Sequence, residues 1–397
     1  MGGMGSTALY GRARFGTKDL VESYVEELVG ALKQLDQSDT KLVSDEDKLV
    51  YFKQARMCFG RTAIMFGGAG SPGAFHIGVL KSLVESDLLP RVISGASTGA
   101  FVSALIGTRT SKELASLFKK GEPANERFDG ERFAEVLQFD MTGSQRRRVD
   151  YYDLERMIAK LIPDLTFTEA FQISGIHLNS AVAPSELQQR SRLLNATISS
   201  NAYIREAVLA SCAVPGLFPA VKLKAKDHDG KRQPYIPSRK WIDGSIAGAL
   251  PTKRLGRLYG INHFISSQAN PSAVLANKRF RTNNDFLDKC IDIHQSASCE
   301  WMRAVFPLAM DGIKDIYPLN VLAQNWFSDA TQERSADINI LPNSSVARPG
   351  QLFETLTHLE TQALIDEGER CTWPVTERIR LNTAISRCIE EILEARE

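Results

Sequence analysis

One serine in this chain sits where a nucleophile would need to sit. Ser97 lies in the stretch Arg91 to Ile106, RVISGASTGAFVSALI, with Gly95 two residues before it and Gly99 two residues after. A short β-branched run, Val92-Ile93, leads into it, and an apolar run, Phe101 to Ile106, leads out with helical character. Strand, G-x-S-x-G, helix is the nucleophile-elbow arrangement. The turn is so sharp that the residues flanking the serine at two positions have almost no room for a Cβ, which is why both are glycine. The hydroxyl is pushed out at the carboxyl end of a strand, above the positive end of a helix, where a developing oxyanion is stabilised. A bare G-x-S-x-G is common in turns; the flanking strand and helix make this one a candidate for acyl chemistry.

A second Gly-rich turn precedes it. Ala63-Ile64-Met65-Phe66 reads as a compact apolar strand, Gly67 to Gly73 as the turn, and Ala74 to Val84 as a helix with a strong apolar face. With the elbow strand following, this is the start of a βαβ unit, and both turns fall at the carboxyl edge of a largely parallel sheet. Gly68-x-Gly70-x-x-Gly73 matches the dinucleotide fingerprint literally. That reading requires an acidic residue at the end of the second strand. The strand here ends in Ser94-Gly95-Ala96-Ser97, and Asp87 lies in the turn before it. The alternative uses the same glycines as an oxyanion hole, whose backbone N–H groups need no acid.

A serine nucleophile also needs a proton acceptor. His263 and His294 follow it in the chain, and neither sits in a loop with an evident signature; His263 reads better as a packed or surface histidine. Asp243 is better placed, after the apolar pair Trp241-Ile242 and before the turn residues Gly244-Ser245, although a lone Asp-Gly is ordinarily only a turn.

The elements that must position these residues follow from periodicity. Thr17 to Leu32 carries Leu20, Val21, Tyr24, Val25, Leu28, Val29 and Leu32 at helical spacing, and Leu49 to Phe59 is a second helix with Leu49, Phe52 and Met57 turned inward. Ile176 to Ala183 and Leu193 to Ile198 read as adjacent strands, Arg205 to Cys212 as a helix, and Gly260 to Ser266 as a strand. From Ala276 the pattern is helical (Phe286, Ile291, Ile293, Trp301, Met302, Val305, Leu308, Met310), interrupted by a strand-like Ile338 to Leu341. A terminal helix pair follows, Leu352 to Glu367 and Val375 to Leu393. Residues 1 to 16 read as disordered.

Composition narrows the classes. With 43% apolar and 24% charged residues the chain is globular, and 48 basic against 47 acidic residues leave no field to favour nucleic acid. Six cysteines without a C-x-x-C pair indicate reduced thiols and argue against a zinc site. No apolar run reaches about 18 residues, so no membrane span is expected, and no secretion signal is evident. Met1-Gly2 through Ser6 fits the myristoylation pattern, with a flexible terminus as the plainer reading. Arg146-Arg147-Arg148 is a solvated face or a contact for anionic headgroups.

Gly-rich turn, G-x-S-x-G, then D-G-small far downstream resembles the patatin-like phospholipase family. More narrowly the sequence is similar to the triacylglycerol lipases of plant and yeast lipid mobilisation, the sugar-dependent-1 type. The matching stretches include Gly73-Ala74-Phe75-His76, Leu89-Pro90-Arg91-Val92-Ile93, Ala210 to Phe218 (ASCAVPGLF), Asp243-Gly244-Ser245, Asn262-His263-Phe264-Ile265 and Arg370-Cys371-Thr372-Trp373. They span most of the chain. The resemblance implies a Ser–Asp dyad without catalytic histidine: Ser97 as nucleophile, Asp243 as base, and Gly68, Ala69 and Gly70 as the oxyanion loop. It departs from the family at Ala69, where the backbone N–H still serves, and at Pro72, where many patatins carry a cation. The chain is shorter at its amino end than the eukaryotic lipases, so the expectation is that their membrane-associated leading segment is missing.

The expected fold is α/β: a three-layer patatin-like core with a mostly parallel sheet, flanked by helical amino- and carboxyl-terminal segments. The expected divisions are 1–55 for the leading helices, 56–275 for the catalytic domain and 276–397 for the terminal helical region. The expected activity is hydrolysis of a lipid acyl ester, triacylglycerol or phospholipid, through an acyl-enzyme, with neither cofactor nor metal. The alternatives are acyl transfer to a lysophospholipid or acylglycerol, and non-catalytic lipid binding on the same fold. The expected setting is cytoplasmic, peripheral at a membrane or lipid-droplet surface, without nucleic acid. Val214 to Phe218 is a candidate lip of the pocket, with core packing as the alternative.

Overall fold

The computed structural model describes residues 19–118, 149–186, 191–247, 250–270, 336–342 and 354–396. Met1 to Ser6, Arg146 to Arg148, His294 and the helical pattern from Phe286 to Met310 lie outside the described residues.

The sheet grows from β1 (Arg61–Phe66), whose last five residues are all buried. β2 (Val92–Gly95) pairs parallel on one side of it, and β8 (Ile261–Ser267) pairs parallel on the other. Beyond β2 lies β3 (His177–Pro184), also parallel, and beyond β8 lies β9 (Ile338–Ile340), again parallel. Two short strands run the other way: β4 (Arg192–Leu194) and β7 (Trp241–Asp243) both pair antiparallel with β3. A separate hairpin joins β5 (Lys224–Lys226) to β6 (Arg232–Pro234). Central strands buried on both faces must be apolar throughout rather than alternating, as TAIMF in β1 is.

Helices cover both faces, so the expected α/β core with a mostly parallel sheet is what the chain forms. In chain order they are α1 (Asp19–Gln37), α2 (Asp45–Phe59), α3 (Ala74–Glu85), α4 (Thr98–Gly107), α5 (Ser111–Phe118), α6 (Tyr151–Leu161), α7 (Phe167–Ser174), α8 (Ile204–Ser211), α9 (Thr252–Tyr259) and α10 (His358–Arg396). α3, α4 and α8 share the large core with Ile64, Phe66 and Ile93. Leu255 of α9 closes a smaller core with Met65, Val92 and Ala181.

Three expectations change. β4 ends at Leu194 instead of reaching Ile198, because the Asn195 carboxamide accepts hydrogen bonds from the Thr197 (3.0 Å) and Ile198 (2.9 Å) N–H groups and turns the chain. Met57 is 80% exposed while Phe52 is fully buried, since α2 presents only its Phe52 side to the terminal helix. The terminal helix pair is one continuous helix of 39 residues with Pro374 inside it, roughly 58 Å long. Proline in a helix interior costs about 3 kcal/mol. Packing on both sides of the break offsets that: Leu364 and Ile365 join the main core, while Leu381, Ile385, Ile389 and Leu393 join Val21, Val25 and Phe52. The crossing of α10 over α3 is tight. A Cβ on Gly368 would lie 2.2 Å from the Phe75 carbonyl oxygen, and one on Gly78 would lie 1.8 Å from that of Ile365.

Candidate active site

Strand register brings the site together. Ser180 of β3 pairs with Gly95 of β2 on one side and with Leu194 of β4 on the other. Two residues on, Val182 pairs with Arg192 of β4 and with Asp243 of β7. A residue has only two sides, so β7 lies on the β2 side and continues its ladder from the opposite direction. β2 and β7 therefore meet end to end, with Gly95 and Asp243 about 7 Å apart along β3. The chain leaves β2 into the elbow at that gap.

The elbow has the geometry its residues demand. Ser97 adopts φ 53° and ψ −127°, one of two non-glycine residues with positive φ among those described. Such a conformation costs on the order of 1–3 kcal/mol and holds only where the surroundings over-determine it. They do: a Cβ on Gly95 would lie 2.1 Å from the Gly99 carbonyl oxygen, and one on Gly99 would lie 2.1 Å from that of Phe66. The Ser97 N–H donates to Ser211 Oγ (2.9 Å), and the Ser211 hydroxyl donates to the Ala181 carbonyl (2.6 Å). Ser97 is thus tied to β3 through its backbone N–H and a hydroxyl on α8.

Asp243 is 2% exposed. Its backbone N–H donates to the Ala213 carbonyl (3.0 Å), and its Oδ1 accepts from the Ser245 N–H (2.8 Å). Burial pushes its carboxyl up from 3.8 to about 6, opposed in part by hydrogen bonds from Ser245 and, more weakly, from the Ser97 hydroxyl. A carboxylate held at about 6 is a stronger base than an exposed one and is still mostly ionised at neutral pH. Gly244 after it is required by space: a Cβ there would lie 2.3 Å from the Ala181 carbonyl oxygen.

The Gly-rich turn closes over the pair. A Cβ on Gly68 would touch Ser97 Cβ at 3.3 Å and Ser245 Cβ at 3.4 Å, so this glycine lies against both Ser97 and Ser245, two residues beyond Asp243. Gly67 N–H donates to the Ser267 carbonyl and Gly73 N–H to the Gly70 carbonyl, each at 2.9 Å. Between them, the N–H groups of Gly68, Ala69 and Gly70 meet no acceptor among the described residues. Thr98 Oγ1 donates to the Gly70 carbonyl (2.9 Å) and holds the turn against α4.

Ser97 opens into a cavity of about 120 Å³. Its walls are apolar: Ile77, Phe101 and Val102 from α3 and α4, Leu154 and Met157 from α6, Val214 and Phe218, and Leu356 ahead of α10. Val214 and Phe218 line the cavity and also pack on the core, so both readings of that stretch apply.

Four contributors were not singled out from sequence. Ser211 and Cys212 lie in the ASCAVPGLF stretch, which pointed to them only as part of a longer match. The buried Cys212 thiol lines the cavity beside Ser97, and burial, with the Asp243 charge second, raises its pKa well beyond the ordinary thiol range. His76 and Ser267 reach the base of the Gly-rich turn from α3 and β8. His263, weighed as a base, instead lies 3.2 Å from Thr62 Oγ1, on the strand next to β1.

A model for patatin-like phospholipase matches residues 64–255, and one for DUF3336, a domain of unknown function, matches residues 1–57. Triacylglycerol lipase SDP1L of Arabidopsis thaliana is 32% identical over 399 residues, covering 96% of this chain and 48% of that protein. Triacylglycerol lipase 4 of Saccharomyces cerevisiae is 36% identical over 284 residues, covering 68% of this chain and 30% of that protein. Triacylglycerol lipase 5 of the same yeast is 29% identical over 415 residues, covering 96% and 53%. The chain spans about half the length, or less, of these curated relatives.

Proposed function

Residues 64–255 of this chain are a patatin-like phospholipase domain, and from that premise we propose that the protein hydrolyses acyl esters of lipids through Ser97 and Asp243. The observation that supports the reading is the end-to-end meeting of β2 and β7, which brings a strained serine near a buried carboxylate, beside three backbone N–H groups that meet no acceptor among the described residues.

In this reading Ser97 Oγ attacks the ester carbonyl as Asp243 takes its proton. The tetrahedral oxyanion is held by the N–H groups of Gly68, Ala69 and Gly70, already in place. Collapse breaks the ester C–O bond, and Asp243 returns the proton to the departing alkoxide. Asp243 then deprotonates a water that attacks the acyl-Ser97 carbonyl; the bond from the acyl carbon to Ser97 Oγ breaks, Asp243 returns the proton to that oxygen, and fatty acid leaves. One carboxylate serves both half-reactions because its pKa, about 6, lies near the pH at which it must exchange protons. The apolar cavity supports an acyl chain as the occupant. The lipase names of the relatives support a neutral acylglycerol among the substrates.

The test is mass spectrometry after fluorophosphonate treatment of wild type, Ser97→Ala and Asp243→Asn, alongside release of fatty acid from emulsified acylglycerol and from phospholipid vesicles. An adduct on Ser97, absent in the alanine variant and slowed in the asparagine variant, is expected. Folded wild type that takes no label and releases no fatty acid would refute the assignment.

A further inference from the structure

His76 is fully buried, lies outside the reacting pair, and has both ring nitrogens engaged. Nε2 lies 3.0 Å from the Gly67 carbonyl oxygen, and Nδ1 lies 2.7 Å from Ser267 Oγ. A carbonyl oxygen can only accept, so Nε2 carries the proton and donates to Gly67. In the neutral ring Nδ1 is then the acceptor, and the Ser267 hydroxyl donates to it. Burial lowers the His76 pKa to about 4, against the opposing pull of the Gly67 hydrogen bond, so the neutral ring is the working form at ordinary pH.

These contacts converge on one residue. The Gly67 carbonyl takes the His76 proton, and the Gly67 N–H donates to the Ser267 carbonyl. Gly67 is therefore held at both polar atoms from β8, once directly and once through the imidazole. The next residue, Gly68, is the first of the three whose N–H groups meet no acceptor among the described residues, and a Cβ on it would lie 3.3 Å from Ser97 Cβ and 3.4 Å from Ser245 Cβ. An oxyanion hole stabilises a transition state only if its donors already point where the charge will form. At the other end of the turn Thr98 holds the Gly70 carbonyl. The ring also makes edge-on contacts with Phe66 and Phe75.

We infer that His76 and Ser267 form a relay that sets the direction of the oxyanion-binding N–H groups, making both of them positioning residues of the acyl-transfer site. The inference rests on the proposed function of Ser97 and Asp243. It assigns His76 no proton transfer to substrate.

The decisive variants leave the packing intact. Ser267→Ala removes one hydroxyl; Nδ1 then lacks a donor, and the ring, still bonded to the Gly67 carbonyl through Nε2, is no longer anchored to β8. Ser267→Thr keeps the hydroxyl on a strand residue. His76→Phe keeps an aromatic ring against Phe66 and Phe75 without either hydrogen bond. Loss of one whole oxyanion donor costs about 10²–10³ in kcat, so a turn that is misdirected but present should lose about ten- to a hundredfold.

Kinetics on a soluble short-chain ester should therefore show kcat reduced by that factor in Ser267→Ala and His76→Phe, KM within about twofold, and kcat restored in Ser267→Thr. The 15N spectrum of wild type should show the His76 proton on Nε2. Unchanged kcat in folded Ser267→Ala and His76→Phe, or a proton on Nδ1 in wild type, overturns the relay while leaving the Ser97 assignment standing. Wild type without Ser97-dependent hydrolysis overturns that assignment and the relay with it.

Discussion

Replacing Asp243 by asparagine should make the protein more stable as it makes it inactive, and the gain should depend on pH in a defined direction. The carboxyl titrates at 3.8 when unfolded and at about 6 when buried. Between those values the native state holds a proton that the unfolded state has released. Unfolding stability therefore falls as pH rises through the window, and it levels off above about 6. Two pKa units at 1.36 kcal/mol each come to about 3 kcal/mol of destabilisation at neutral pH. Asparagine has nearly the same shape, keeps an oxygen for the Ser245 N–H, and never ionises. Denaturant unfolding of both proteins from pH 4 to pH 8 should give a stability difference that opens in favour of Asp243→Asn between pH 4 and 6 and stays near 3 kcal/mol above that. The fixed offset from the new amide is common to all pH values, so only the opening of the gap is diagnostic. Hydrolysis by the variant should fall by about 10²–10⁴, the range for loss of a general base. A gap that stays flat with pH, or one that closes as pH rises, would refute the claim that this carboxylate is held ionised at a cost.

Other outcomes follow from the same geometry. For wild type, kcat/KM on a soluble ester should rise tenfold per pH unit below about 6 and flatten above it, since Asp243 must be ionised to accept a proton; a profile already flat at pH 4.5 would contradict this. Gly68→Ala places a methyl 3.3 Å from Ser97 Cβ and 3.4 Å from Ser245 Cβ, so kcat should drop at least tenfold while the unfolding midpoint changes little. Gly368→Ala drives a methyl to 2.2 Å from a backbone oxygen of α3 and should cost about 3 kcal/mol in denaturant unfolding. Gly30→Ala on α1, with nothing within 4 Å, should instead add about 0.5–1 kcal/mol, so a similar loss at both positions would remove steric crossing as the cause.

Long-range context decided several local matters that periodicity left ambiguous. Pro374 marks the end of a helix in any local reading, and α10 passes through it because one half packs on α3 and the other on α1 and α2. Met57 is apolar at a position that local patterning turns inward, and the single partner helix reaches only the Phe52 side. His76 sits on an apolar helix with no polar neighbour in sequence. Its partners, Gly67 and Ser267, come from the turn before it and from a strand 191 residues further along the chain.

What the sequence determined by itself is the part governed by steric contact between near neighbours. Gly95 and Gly99 are required by atoms four residues apart or in the adjoining strand, so the elbow and its serine could be read directly, as could the apolar strands that run into the two Gly-rich turns. Asp243 carried only the weak local signal of an Asp-Gly turn, and the resemblance, not the spacing, singled it out. The tertiary structure decided that β7 meets β2 head-on across β3, that the carboxyl there is buried enough to titrate near 6, and that three N–H groups meet no acceptor among the described residues. These are properties of which strands pair and what they exclude from water, and neither is a function of any one stretch of residues.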